Sequence, residues 1–136
     1  MALKHHQTLR KFDVKEDKKN KIRKSIELYF ESMYESSPEK VRKVFHGSAK
    51  ITGYMQEKLI EHSVSSFADF VGSQTPSAKE KNEKKFLEIL SIEIAGSTAV
   101  ARVRDGYLGM TFLDTLSFLK VEDKWVIYNK LFYVET

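Results

Sequence analysis

An acidic side chain set among large apolar ones either moves protons or anchors a fold, and Asp114 is so placed. It lies in Phe112-Leu113-Asp114-Thr115-Leu116-Ser117-Phe118, whose alternating pattern is that of a strand. A second run, Lys124–Val134, follows Glu122-Asp123, so the two read as a hairpin. With Val121 opposite Lys124, Asp114 faces Leu131, Leu116 faces Asn129 and Phe118 faces Ile127. One face then carries Phe112, Asp114, Leu116, Phe118, Trp125, Ile127, Asn129 and Leu131. The other carries Thr111, Leu113, Thr115, Ser117, Leu119, Val126, Tyr128, Lys130 and Phe132. The first is strongly apolar and is expected to be concave. A carboxyl on it must be paired, hydrogen-bonded or protonated. Burial raises its pKa, which suits a general base or acid near neutral pH. The alternative is a structural carboxylate held by backbone amides, Lys or Arg. Asn129 would aid an oxyanion or satisfy a sheet end.

Other side chains add to this group. His46 follows a short helix and would donate a proton or orient a ligand; a structural hydrogen bond at a turn is the plainer alternative. Tyr54 offers a phenolic hydroxyl or fills the core. Phe67, Phe70, Tyr107 and Met110 are expected at the mouth of a cavity. Other chemistries lack parts. There is no cysteine, so thiolate metal sites, a Cys nucleophile and disulfides are excluded. His46 and His62 share no metal spacing, and there is no glycine-rich phosphate loop and no GxSxG. No metal and no cofactor are expected.

The elements that must position these residues follow from periodicity. Ile22, Ile26, Tyr29, Phe30 and Met33 make one apolar stripe, which predicts a helix from about Asp17 to Tyr34. Ser36-Ser37-Pro38-Glu39 opens a second, short helix bearing Val41, Val44 and Phe45. Gly47 suits a chain reversal. Ile51 to Tyr54 reads as a strand, with Gly53 a bend, and Lys58-Leu59-Ile60 as another. Ser63 caps a third helix, with Val64, Phe67, Phe70 and Val71 on its apolar side and its end at Gly72. Residues 73–83 form a polar loop. Beyond it, runs beginning at Lys85, Thr98, Met110 and Lys124 make an antiparallel meander of four long strands. Helices in front and a twisted meander behind argue for an α+β fold in one domain.

Charge is unevenly placed. The formal net charge is +4, while residues 1–24 alone carry nine Lys/Arg and three Asp/Glu. Residues 1–15 are read as a flexible basic tail and 16–136 as the domain. The tail has too few aromatics to stack on bases, so no nucleic acid partner is expected. No apolar run approaches the ~20 residues of a spanning helix, and the start lacks a signal-peptide core. A cytoplasmic protein with no membrane partner is expected.

The element order resembles the cone-shaped barrel of the nuclear transport factor 2-like (SnoaL-like) superfamily, and locally its putative lumazine-binding family. Three segments carry the resemblance: Tyr29-Phe30-Glu31-Ser32-Met33-Tyr34 with Val44-Phe45-His46; Asp114-Thr115-Leu116-Ser117-Phe118-Leu119-Lys120-Val121; and Trp125-Val126-Ile127-Tyr128-Asn129-Lys130-Leu131-Phe132. It departs at Glu122-Asp123, where the family usually has an acidic residue and Gly, so a wider or strained turn is expected. The resemblance implies an α+β cone of curved, mainly antiparallel sheet covered by three amino-terminal helices. Superfamily members include isomerases, dehydratases, polyketide cyclases, epoxide hydrolases and transport adaptors, so the fold does not choose a reaction. The leading expectation is a small-molecule-binding protein for a flat, largely apolar ligand. Its pocket would involve Tyr54, Phe67, Phe112, Leu116, Phe118, Trp125 and Asn129. The alternatives are an isomerase-, dehydratase- or cyclase-type enzyme using Asp114 with His46 or Tyr54, and a non-catalytic interaction module. A homodimer through the outer sheet face is expected, because that face is too apolar for open solvent.

Overall fold

The structure is a computed structural model. It describes the backbone of residues 2–135 and the side chains of residues 14–135. In chain order the elements are α1 (Ala2–Tyr34), α2 (Pro38–Val44), β1 (Phe45–Met55), β2 (Lys58–Ser63), α3 (Val64–Gly72), β3 (Leu87–Ala95), β4 (Thr98–Tyr107), β5 (Met110–Val121) and β6 (Lys124–Val134). The strands form one sheet in the order β2-β1-β6-β5-β4-β3. All neighbours are antiparallel except β1 and β6, which run parallel. The sheet curves without closing, so the expected cone is open at the edges β2 and β3. No helix among the described residues is long and apolar enough to cross a membrane.

The predicted stripe of α1 is the face that packs. Ile22, Ile26 and Tyr29 are fully buried, and Phe30 and Met33 nearly so. Ile22, Ile26, Tyr29 and Met33 meet Leu116, Phe118, Trp125 and Ile127 in one core that also takes Val41, Val44 and Phe45, while Phe30 stacks on Tyr34. The helix begins at Ala2, well before the expected start near Asp17. Its first half contains no Pro or Gly to stop it, and Ala, Leu, Gln, Lys and Arg all favour helix. The segment read as a tail over residues 1–15 is thus helical backbone from Ala2; the side chains of 1–13 lie outside the described residues.

Ser37 rather than Ser36 caps α2, accepting a hydrogen bond from the Lys40 amide, with Pro38 as the first helical residue. Ser36 takes a positive φ of 52° instead. Ser63 caps α3 as expected, in a reciprocal pair with Ser66. Gly47 makes no chain reversal; it lies in β1, where the register against β6 shifts between Phe45 and Lys50. Gly53 faces Phe132 across the β1–β6 pair, and a Cβ there would overlap the Phe132 ring and carbonyl oxygen. Its role is close approach rather than a bend.

The β5–β6 hairpin contains the main correction to the sequence reading. Near the turn the expected register holds, with Val121 opposite Lys124 and Phe118 opposite Ile127. It then shifts by one residue: Ser117 pairs with Asn129, Leu116 with Lys130 and Asp114 with Phe132. Tyr128 is the extra residue of a bulge. Past it every β6 side chain changes face, because the strand period is two. Asn129 and Leu131, expected inside, turn outward, and Leu131 is half exposed. Lys130 and Phe132, expected outside, turn inward, and Lys130 is only 5% exposed.

Candidate functional site

Three ionisable groups meet on the concave face because of strand register. On β4, Ala99, Ala101 and Val103 point inward, and the same alternation brings Asp105 inward at 1% exposure. On β5, Asp114 sits opposite Val103, and Asp105 sits opposite Phe112. The two carboxyls are therefore diagonal neighbours. On β6 the bulge sets Lys130 opposite Leu116 and Phe132 opposite Asp114, so Lys130 is the diagonal neighbour of Asp114 on the other side. Asp114 stands in the middle with an acid on one flank and an ammonium on the other.

From α1, the Tyr29 hydroxyl donates to Asp114 Oδ2 at 2.6 Å. Outside the carboxyl pair itself, the other Asp114 oxygen, both Asp105 oxygens and the Tyr107 hydroxyl are buried with no partner among the described residues. Burial raises the Asp105 pKa well above the carboxylate range; the Asp114 charge and a hydrogen bond with Asp114 add to the shift and the Lys130 charge opposes it. Two carboxyls this close in an apolar setting cannot both ionise cheaply, and Asp105 keeps the proton. Tyr29 is raised too, first by burial and then by the Asp105 and Asp114 charges, so it remains a donor. Burial likewise raises Tyr107. Lys130 Nζ lies 4.8 Å from the Tyr29 ring centre, 4.9 Å from that of Phe67 and 5.7 Å from that of Phe132, which together form a cation–π cage.

Above this cluster opens a cavity of about 270 Å³. Its walls are Met33, Met55, Ile60, Phe67, Phe70, Leu108, Phe112 and Phe132, and its polar atoms come from His62, Asp105, Tyr107 and Lys130. The volume is near the lower end of small-ligand pockets, about 300 Å³ and upward. Burial lowers the His62 pKa and the Lys130 charge lowers it further, so the ring is neutral at pH 7. Its Nδ1 lies 2.9 Å from Ser66 Oγ, and its ring packs against Phe67 and Phe70.

The expected site residues divide. Phe67 and Phe112 line the cavity, as do Phe70 and Tyr107. Asp114 is fully buried, but it lies behind the cavity wall rather than on it. Leu116, Phe118 and Trp125 belong to the packed core below. His46 sits away from the lining, its Nδ1 accepting from the Ser48 amide at 3.0 Å and its ring edge-on to Tyr128. Tyr54 is 59% exposed, because Gly53 and Met55 occupy the inward phase of β1. Asn129 is turned outward by the bulge, and Met110 lines a neighbouring groove. Asp105, Lys130, Tyr29 and His62 were missed as site residues. Only Asp105 had a readable signal, an acid on the buried phase of Ala99-Ala101-Val103. No group of three or more metal-binding side chains exists among the described residues.

Comparison with known proteins agrees with this architecture. A family model described as "Putative lumazine-binding" matches residues 17–133. An NTF2-like protein of unknown function from Silicibacter pomeroyi superposes with a TM-score of 0.80 at 21% identity, over 89% of this chain and 98% of that one. Another, from Methylobacillus flagellatus, gives 0.77 at 27% identity, over 88% and 94%. The aldolase FrzH of a Cladobotryum species is 25% identical over 105 residues, covering 77% of this chain and 82% of its own.

Proposed function

The chain belongs to the putative lumazine-binding family of NTF2-like proteins, and we propose that it binds one small, flat, largely apolar molecule in the cavity above Asp105 and Lys130. The observation that carries this is the lining. Aromatic and thioether side chains make most of the walls, and the polar lining groups are few: His62, Asp105, Tyr107 and Lys130. Such a cavity rewards burial of an apolar body and orients it through a single polar group. Isothermal titration with a naphthalene-based probe such as 2-naphthol tests it. Binding that is lost in Met55→Trp, which fills the cavity, supports the proposal. Unchanged binding in a folded Met55→Trp contradicts it.

A second reading is acid–base catalysis on the bound molecule. Asp105 favours it, being a buried carboxyl on the cavity lining whose pKa is raised by burial and by Asp114. The group proposed for proton transfer is thus Asp105 rather than Asp114, whose Oδ2 is engaged by Tyr29. The likeness to an aldolase is compatible with chemistry at a carbonyl but does not assign a reaction. Asp105→Asn separates the readings: a binding protein keeps its ligand affinity within a few-fold, and an enzyme loses turnover.

Homodimer formation belongs to the same proposal. Tyr54, Tyr128, Leu131 and Tyr133 are large exposed side chains on the neighbouring strands β1 and β6. A second copy of this face would cover them. A dimer by sedimentation at micromolar concentration, dissociated by Leu131→Asp, supports it; a monomeric wild type overturns it.

A further inference from the structure

Lys130 is a charged side chain without a counter-charge in contact. It is 5% exposed, and no ion pair among the described residues includes it. Its hydrogen bond is to the Met33 sulfur at 3.9 Å, a weak acceptor. The remaining donors of the ammonium face aromatic rings and the cavity it lines. A second donor lines the same cavity: the Tyr107 hydroxyl, buried and unpartnered. The proton of Asp105 is shared with Asp114 instead. Neither the Lys130 ammonium nor the Tyr107 hydroxyl reaches an oxygen or nitrogen acceptor among the described residues. Buried donors left unpaired destabilise the fold, and the more so when charged.

We propose that the cavity's ligand carries an oxygen anion, a carboxylate or an ionised enol or phenol, seated against the Lys130 ammonium and the Tyr107 hydroxyl. This rests on the cavity being the binding site and adds the ligand's charge to it. The apolar walls take the flat body, and the donors take the anion out of water without leaving it unpaired. A cationic ligand would meet Lys130 at the same end and be repelled.

The test compares 2-naphthoate with its neutral methyl ester by isothermal titration at pH 7, in wild type and in Lys130→Met. Met keeps an unbranched apolar stem. Wild type is expected to bind the acid at least about tenfold more tightly than the ester, a preference lost in Lys130→Met and retained in Lys130→Arg. Equal wild-type affinities overturn this inference and leave the cavity reading intact. A folded Lys130→Met that still prefers the acid also overturns it. If neither probe binds, the cavity reading falls, and this inference falls with it.

Discussion

Tyr29 and Asp114, 85 residues apart in sequence, meet through a 2.6 Å hydrogen bond between helix α1 and the middle of the sheet. The contact fixes how the helix lies over the concave face. It also holds the central carboxyl, with Asp105 on one diagonal and Lys130 on the other. Tyr29 is in turn one wall of the cage around Lys130. Fold and site share this residue, since its ring packs edge-on to Phe45 while its hydroxyl reaches the carboxylate.

Tyr29→Phe isolates the hydroxyl. The ring and its packing remain, and Asp114 Oδ2 loses its partner. A hydrogen bond to a buried carboxylate contributes about 1.5–3 kcal/mol, so a loss of about that size is expected in urea unfolding at pH 7. A change below about 0.5 kcal/mol would mean that water replaces the hydroxyl.

Asp105→Asn tests where the buried proton sits. The folded pKa of Asp105 is raised above its unfolded value, so stability is full below the unfolded pKa of about 3.9 and is lost as pH rises toward the folded one. Asn cannot ionise, and its amide donates to a neighbouring carboxylate as the acid does. The variant should therefore gain on wild type as pH rises above about 4. Thermal midpoints of both proteins across pH 4–9 check this; parallel curves would show that Asp105 is not perturbed.

The β5–β6 turn stores strain that one substitution can release. Glu122 and Asp123 have φ of 49° and 66°, the left-handed pair of a two-residue hairpin turn. The turn is tight, not wider as its departure from the family pattern allowed. Gly at the second position adopts this conformation without steric penalty, so Asp123→Gly should stabilise by about 0.5–1 kcal/mol. A destabilised variant would point to the Lys120–Asp123 ion pair, 3.5 Å, as worth more than the strain.

Much of the fold was legible because its elements announce themselves by period. The stripe of α1, the Ser63 cap, the polar loop over 73–83 and the four meander strands all stand where their residues put them. The site was legible only in part, and the reason is local. A bulge at Tyr128 leaves no mark in the alternation of Trp125 through Phe132, since both phases of that strand are largely apolar. The register beyond it follows from how β6 must meet β1 as well as β5. That single extra residue exchanged Asn129 for Lys130 and moved the cavity's charge. Asp105 was readable from its strand phase. Tyr29 reads as one more core aromatic until the sheet beneath it is known.

The central claim is that this cavity is where a small molecule binds, and methionine methyl groups report on it directly. Met33 and Met55 line the cavity and Met110 does not. The measurement is ¹³C-methyl methionine NMR during titration with 2-naphthoate. Saturable shifts at Met33 and Met55 with Met110 unmoved are the predicted result. Shifts confined to Met110, or none at Met33 and Met55 at saturating probe, would contradict it.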